Sequence, residues 1–254
     1  MIKMREQFVR STADAPAISG ALLVLLGGFL TPAASADDYC RESRDFSEEL
    51  ELDGISEISI DAGAGKLIVI GERGLTTAQV EARACASDED DLDDISLKMS
   101  KRGSTLAMRT EIPKPSTSFM GSSYTRLDIE IRVPAGYPVK ISDTSGSMIV
   151  RGVASVEIED GSGSIQIMDV PGAVEITDDG SGSITVMNAG SVRIGEDGSG
   201  SITATQIVND VYVGRDGSGS ISAKDVGGSL TVVSDSGGSI RHSNVAGNVQ
   251  IDDD

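Results

Sequence analysis

A chain of 254 residues with 40 acidic and 21 basic side chains carries a formal charge of −19 at neutral pH. Such a charge repels nucleic acids and anionic lipids through long-range Coulomb forces, so nucleic-acid binding is excluded as a function. The chain has one histidine and two cysteines, which leaves little material for a zinc site or for histidine-dependent catalysis. Composition therefore favours a binding or structural protein over an enzyme.

The first 36 residues have the organisation of a signal peptide. Three basic residues precede the short apolar run 18–30, and Ala-Ser-Ala at 34–36 supplies small residues for cleavage. The apolar run is shorter than the roughly 20 residues of a membrane-spanning helix, so we expect cleavage after Ala36 rather than an uncleaved anchor. The protein is expected to be exported to the periplasm or cell surface of a bacterium, with no transmembrane span in the mature chain.

The two cysteines, Cys40 and Cys85, are expected to form a disulfide, because an oxidising exported compartment favours pairing. Two free thiols are the alternative, since the sequence does not show whether the two Cα atoms lie close enough to bridge. A disulfide would tie the mature N-terminus to the first domain.

Residues 37–138 are predicted to form a β-strand-rich N-terminal capping domain. Alternating apolar residues within 55–71 resemble a degenerate first coil of the repeat that follows. A Pro- and Ser-rich stretch at 112–123 predicts a loop, and the acidic run 87–94 predicts a solvated loop because it lacks the spacing of an EF-hand. Further strands are expected at 78–84, 95–100, 105–110 and 124–133. Such a domain would cover the first coil, whose open edge would otherwise invite aggregation.

The C-terminal part, residues 139–254, contains six copies of one turn sequence. Aligned on its aspartate, the turn reads DTSGSM once, DGSGSI four times and DSGGSI once, at intervals of 17–19 residues. The six aspartates are Asp143, Asp160, Asp179, Asp197, Asp216 and Asp235.

Short stretches with alternating apolar residues flank every turn, as Val174 and Ile176 precede one and Ile184 and Val186 follow it. This is the period of a β-strand. One repeat is too small to bury its own apolar face, so neighbouring repeats must stack. The sequence therefore predicts an all-β protein, a parallel β-solenoid of about six 17–19-residue coils preceded by the capping domain. Helical apolar periods and a six-residue apolar repeat are both absent here, which argues against doubly wound α/β and hexapeptide-helix folds.

Stacking would place the turn aspartates in one column. Neighbouring carboxylates about 4.8 Å apart repel by roughly 3.5 kcal/mol at an effective dielectric of 20. Backbone N–H donation to every carboxylate, together with solvent screening, is the favoured explanation of how the column is tolerated. The alternative is a row of weakly bound Ca²⁺ ions, because stacked Asp and Ser oxygens are ligands of the kind that calcium prefers. The residues of that calcium hypothesis are Asp160, Asp179, Asp197, Asp216 and Asp235.

No catalytic or cofactor-binding residue is predicted. His242 takes the inward position that apolar residues fill in other coils, so we expect a partly exposed core residue at the solenoid's end. The repeated Gly-Ser-Gly lacks the strand-to-helix setting of phosphate loops. Paired carboxylates are too abundant to indicate glycoside cleavage. An ice-binding ladder would need Thr-x-Thr in each coil, and only Thr203 and Thr205 provide it.

The leader, the strand-rich first part, the segment Val133-Pro-Ala-Gly-Tyr-Pro-Val139 and the repeated Ser-Gly-Ser-Ile together resemble the bacterial putative-adhesin family. The resemblance covers about residues 55–254. It implies an exported solenoid of the kind likened to auto-transporter adhesin heads, without catalytic residues. The expected function is a non-catalytic adhesin-like binding protein or envelope scaffold, whose partner is an envelope or surface protein or a glycan. The alternatives are a carbohydrate-active solenoid enzyme on surface polysaccharide and a Ca²⁺-binding solenoid.

Overall fold

A computed structural model describes residues 40–114 and 123–252 of the chain. The predicted signal peptide, residues 1–36, lies outside the described residues, as does most of the predicted loop at 112–123. The described part contains one helix, α1 Glu89–Asp93, and eighteen strands. In chain order the strands are β1 Glu42–Glu51, β2 Glu57–Asp61, β3 Ala64–Glu72, β4 Thr77–Ala86, β5 Ser96–Arg102, β6 Thr105–Glu111, β7 Thr125–Pro134, β8 Pro138–Asp143, β9 Ser145–Arg151, β10 Ser155–Asp160, β11 Gly163–Asp179, β12 Ile184–Asp197, β13 Gly200–Ile207, β14 Val211–Asp216, β15 Gly219–Val226, β16 Leu230–Asp235, β17 Gly238–Val245 and β18 Val249–Ile251.

The C-terminal strands stack as a parallel β-solenoid, which confirms the predicted fold. Strands that precede each turn aspartate form the first wall, where Val174 pairs with Val192 and Val192 with Val211. Strands that follow the turn form the second wall, where Ile184 pairs with Ile202. The long strands β11 and β12 continue around a corner and contribute to both walls. Equivalent residues of successive coils therefore lie side by side.

Residues 57–72 form another coil in front of the first turn. β2 pairs in parallel with β8, so that Ile58 lies beside Val139, and β3 pairs in parallel with β9, so that Gly65 lies beside Gly146. β6 and β7 add one more parallel strand to each wall. Beyond them the pairing becomes antiparallel, with β5 on β6, β4 on β7 and β1 on β4. This antiparallel layer covers the N-terminal end of the solenoid.

One continuous apolar core fills the space between the walls and extends under the antiparallel layer. Alternation explains it, since every second residue of each strand points inward. Ile131, Ile158, Ile176 and Val213 are fully buried. Burial ends at the last coil, where His242 occupies the inward position beside Ala223 and is exposed. The prediction of a partly exposed terminal core position for His242 agrees with this placement.

One expectation about the N-terminal part is wrong, and one strand there was not predicted. The acidic run 87–94 is not simply a loop, because it contains α1, whose first turn is capped by the Asp88 carboxylate accepting the Asp91 N–H at 2.9 Å. Acidic residues are favourable at a helix N-terminus, and Leu92 buries the inner side of this helix. Strand β1 was not predicted, since its apolar residues are few; its pairing with β4 creates it.

Cys40 and Cys85 form a disulfide, with their Cα atoms 5.4 Å apart. It joins the start of the described chain to the end of β4, alongside the antiparallel pairing of β1 with β4. Among the described residues, no helix has the length and apolar character needed to cross a membrane.

Candidate functional site

The six turn aspartates form a single stack at one corner of the solenoid, which we call the aspartate column. Parallel pairing brings each member beside the next, as Asp160 lies beside Asp179 and Asp179 beside Asp197. All six side chains are buried, with exposed fractions from 0% at Asp216 to 9% at Asp235. The sequence prediction of a column is confirmed, but the column is inside the protein rather than on its surface.

Glycines of the turn close the corner over these carboxylates. Gly182 adopts a φ of +135°, which L side chains rarely adopt, and a Cβ there would lie 1.5 Å from the Gly163 carbonyl oxygen. The bare backbones pack directly, and the Gly182 N–H donates to the Ser199 carbonyl at 2.8 Å. The same contact recurs from coil to coil, so the corner leaves little room for water beside the aspartates.

Backbone N–H groups satisfy only part of the aspartate column. The N–H groups of Thr144, Ser162, Ser199 and Gly237 donate to one oxygen each of Asp143, Asp160, Asp197 and Asp235, at 2.8–3.2 Å. Both carboxylate oxygens of Asp179 and Asp216 are buried without a hydrogen-bond partner, as is Oδ2 of Asp143, Asp160 and Asp197. The N–H groups of Ser181 and Ser218 still face Asp179 and Asp216 and lower their pKa values, although neither contact has ideal hydrogen-bond geometry. The expected backbone donor is therefore present at every carboxylate, but it is weak at these two.

Burial is the largest cause that raises the pKa values of Asp143, Asp160, Asp179, Asp197 and Asp216. Burial, followed by the charge of Asp197, raises the pKa of Asp179 to about 7. Burial and the charge of Asp160 raise the pKa of Asp143 to about 7, and burial and Asp216 raise that of Asp197 to about 6. Protonation of a column carboxyl removes its charge and so lowers the repulsion between neighbouring carboxylates near neutral pH.

The geometry of the aspartate column does not provide the number of grouped oxygen ligands that a calcium site needs. Calcium takes six to eight oxygen ligands. The carboxylates lie in single file, and across residues 40–114 and 123–252 no three His, Cys, Asp or Glu side chains are grouped to hold a metal ion. Calcium binding by the aspartates remains a prediction.

The outward side chains of the first wall are mostly charged. In three successive coils they include Glu157 and Glu159, then Glu175 and Asp178, then Arg193 and Glu196. Ion pairs join some neighbours, such as Arg193 with Glu175 at 3.8 Å. We call this surface the acidic face.

The second wall differs sharply in the coils of β11, β12 and β13. Its outward positions, three from each of the three coils, carry no charge and are mostly hydroxyl-bearing. We call this surface the hydroxyl face; its residues are Ser164, Gln166, Met168, Ser183, Thr185, Met187, Ser201, Thr203 and Thr205. The Thr-x-Thr pattern of β13 is visible in the sequence, but the serines two residues before the first outward strand position of each coil were not predicted to extend it.

A groove of about 410 Å³ lies where the second wall continues into the antiparallel layer. It is formed by β1, β4, β7 and β3, and it is shallow and largely open to solvent. Ile68 contributes apolar surface, whereas Phe46 shares the inward face of β1 and packs against the core. The charged side chains that line it are Asp45, Lys66, Glu81, Arg83, Asp128 and Glu130.

Strand register explains how these charges meet. Arg83 lies between Asp45 of β1 and Asp128 of β7, which gives alternating signs across the groove. Glu81 lies directly opposite Glu130, and like charges in that position are destabilising. The Arg132 guanidinium donates to Glu130 at 2.6 Å and offsets part of the repulsion. Sequence reasoning missed this groove because its residues come from four strands whose pairing no local pattern indicates.

Comparisons with known proteins give likenesses in structure only. No family model and no curated protein matches the sequence. A solved structure titled a putative cell adhesion protein, from Clostridium sporogenes, is 13% identical and aligns with 84% of this chain and 100% of its own, at a TM-score of 0.41. A putative adhesin from Bacteroides fragilis is 14% identical over 84% of this chain and 99% of its own, at a TM-score of 0.35.

A third structure carries a different name. It is titled a putative lipid binding protein, from Parabacteroides distasonis, and is 16% identical over 81% of this chain and 96% of its own, at a TM-score of 0.37. Similarity at this level concerns general architecture. Function has to be inferred from the surfaces of this chain itself.

Proposed function

We propose that this protein is an exported, non-catalytic binding and scaffolding protein of the bacterial cell envelope, adhesin-like in its use of a rigid solenoid. The observation that carries the proposal is the in-register stacking of the two walls, in which Val174, Val192 and Val211 lie side by side. Such stacking repeats the outward side chains of one coil in the next. A surface of this kind suits an extended partner that also repeats.

Export is supported by two features of the chain. The N-terminal 36 residues have the pattern of a cleaved signal peptide, and the Cys40–Cys85 disulfide suits an oxidising compartment. The periplasm and the cell surface both fit these features.

The test is binding of the purified mature chain, residues 37–254, to envelope fractions and intact cells of the source bacterium. We expect saturable binding by the wild type. The control is Gly182→Val, whose added side chain would collide with the Gly163 carbonyl and disrupt the stack. A wild type that binds no better than this control would contradict the proposal.

A carbohydrate-active enzyme is the second candidate, and the groove favours it. Strand register places Glu81 directly opposite Glu130, so two carboxyl groups share the groove, and glycosidases use a pair of carboxyl groups. A reducing-sugar assay on envelope polysaccharide decides between the two. Turnover that disappears in both Glu81→Gln and Glu130→Gln would establish the enzyme, and binding without turnover would exclude it.

A further inference from the structure

We propose that the groove and the hydroxyl face together bind one strand of an uncharged polysaccharide that runs along the solenoid axis. This inference rests on the proposed binding function and names its ligand class and its site. The acidic face, on the opposite wall, takes no part.

The two surfaces are continuous. β9 pairs with β3 of the groove on one side, placing Ser147 beside Lys66 and Ile149 beside Ile68, and with β11 of the hydroxyl face on the other. Seven strand intervals separate β1 from β13 along this wall, which at about 4.8 Å each amounts to roughly 34 Å. A polymer lying across the strands would therefore meet a groove, a bridging strand and then three coils of similar chemistry.

The hydroxyl groups of this surface are free to bind. Among the described residues, the side chains of Ser164, Ser183 and Ser201 are exposed and take part in no hydrogen bond within the protein. A serine hydroxyl both donates and accepts, which matches the hydroxyl groups of a sugar. Met168 and Met187 supply adaptable apolar surface for the C–H faces of sugar rings, as Ile68 does in the groove.

Charge selects a neutral polymer over an acidic one. The hydroxyl face has no charged side chain in the coils of β11, β12 and β13. The groove sets four carboxylates against two basic groups, a balance of −2, within a chain whose charge is −19. An acidic polysaccharide would be repelled, whereas neutral sugar hydroxyls can donate to Glu81, Glu130, Asp45 and Asp128.

Other ligand classes fit this surface less well. A protein partner would need apolar or aromatic anchors in desolvated pockets, and the hydroxyl face is shallow and polar. Ice would need an unbroken hydroxyl lattice, which Gln166, Met168 and Met187 interrupt.

Affinity electrophoresis tests the ligand class. Hydroxyethylcellulose and galactomannan serve as neutral probes cast in the gel, and polygalacturonate serves as the acidic probe. We expect a neutral probe to retard the wild type and Ser183→Glu/Ser201→Glu to raise the Kd at least tenfold. The matched control Ser191→Glu/Thr231→Glu adds two charges to the first wall and should leave the Kd unchanged. Retardation by no neutral probe, stronger retardation by polygalacturonate, or equal losses in both double variants would overturn the proposal.

Assays of envelope binding separate failure of this inference from failure of the proposed function. If Ser183→Glu/Ser201→Glu binds envelope fractions as the wild type does, the hydroxyl face is not the site and the binding function stands. If the wild type itself does not bind envelope fractions, the proposed function fails. Circular dichroism and melting temperature of each variant confirm that the fold is intact.

Discussion

Asp179 lies beside Asp197 in the next coil, both are 1% exposed, and neither oxygen of Asp179 accepts a hydrogen bond of good geometry. Burial, and then the charge of Asp197, raise the pKa of Asp179 to about 7, far above its ordinary value of 3.8. The pair shows how the solenoid tolerates stacked carboxylates, since protons can occupy part of the column near neutral pH.

The first prediction concerns the pH dependence of stability. The pKa values of Asp143, Asp179 and Asp197 are higher in the folded chain than in the unfolded chain. The folded state therefore binds more protons than the unfolded state. The stability that these bound protons contribute is complete below about pH 4 and is lost as pH rises through 6 to 7. We expect the melting temperature to fall as pH increases from 4 to 7.5. A melting temperature that rises over this interval would contradict the assignment.

Removing one charge from the column should stabilise the protein at alkaline pH. We expect Asp179→Asn to increase the free energy of unfolding at pH 8 by about 1–3 kcal/mol, because an unsatisfied buried charged group is replaced by an amide that can donate to its neighbours. Urea unfolding measures the change. The matched control is the exposed neighbour Asp178→Asn, which should alter stability by less than about 0.5 kcal/mol.

Glycine at the turn should be irreplaceable where coils touch. A Cβ at Gly200 would lie 1.4 Å from the Gly182 carbonyl oxygen, so Gly200→Ala should cost more than about 3 kcal/mol or prevent folding. Gly103 has a positive φ of 62°, but a Cβ there would meet no atom within 4 Å. Gly136 has no positive φ, and a Cβ there would also meet no atom. The expected order of destabilisation is Gly200, then Gly103, then Gly136. Equal effects at Gly200 and Gly103 would show that φ alone matters.

The disulfide should stabilise the antiparallel layer. Cys40→Ser/Cys85→Ser removes a cross-link between residues 45 apart in sequence, for which a loss of about 2–4 kcal/mol is typical. A reducing agent should lower the melting temperature of the wild type to that of the double variant. The double variant itself should not respond to the reducing agent; if it does, another effect of the reagent is responsible.

Calcium should add little to the folded protein. Because its carboxylates lie in single file and no three acidic or other metal-binding side chains of the described residues are grouped around one point, we expect no binding heat with millimolar Ca²⁺ at pH 7.5 and no rise in melting temperature. Heat at a stoichiometry near one ion for every one or two coils would instead show that cations neutralise the column.

The repeat region was predictable because its constraints are local. Each copy contains both the apolar alternation of a strand and the glycines that a close backbone approach requires, so Gly163, Gly182 and Gly200 in sequence already imply stacking. The position of the turn aspartates in a column follows from equal coil lengths. Their degree of burial does not follow, because aspartate in a turn is usually solvated, and only the packed corner removes water from Asp216.

The groove was not predictable for a different reason. Its residues are alternate members of strands such as β4 and β7, and Glu81 meets Glu130 only because the antiparallel register is set by tertiary packing. The hydroxyl face was predictable in part. Its serines can be seen in every turn sequence. They form an uncharged surface only because the other outward residues of the same wall are also uncharged in these three coils.

In-register stacking also determines how such a surface can change in length. Because each coil contacts only its two neighbours, gain or loss of one unit of 17–19 residues would lengthen or shorten both walls without altering the remaining contacts. A duplication that copies Gly182 and its flanking serines would carry along the backbone contact that holds the new coil. The number of repeats that the gene encodes thus sets the length of the binding surface. That length can change by whole coils without any redesign of a site.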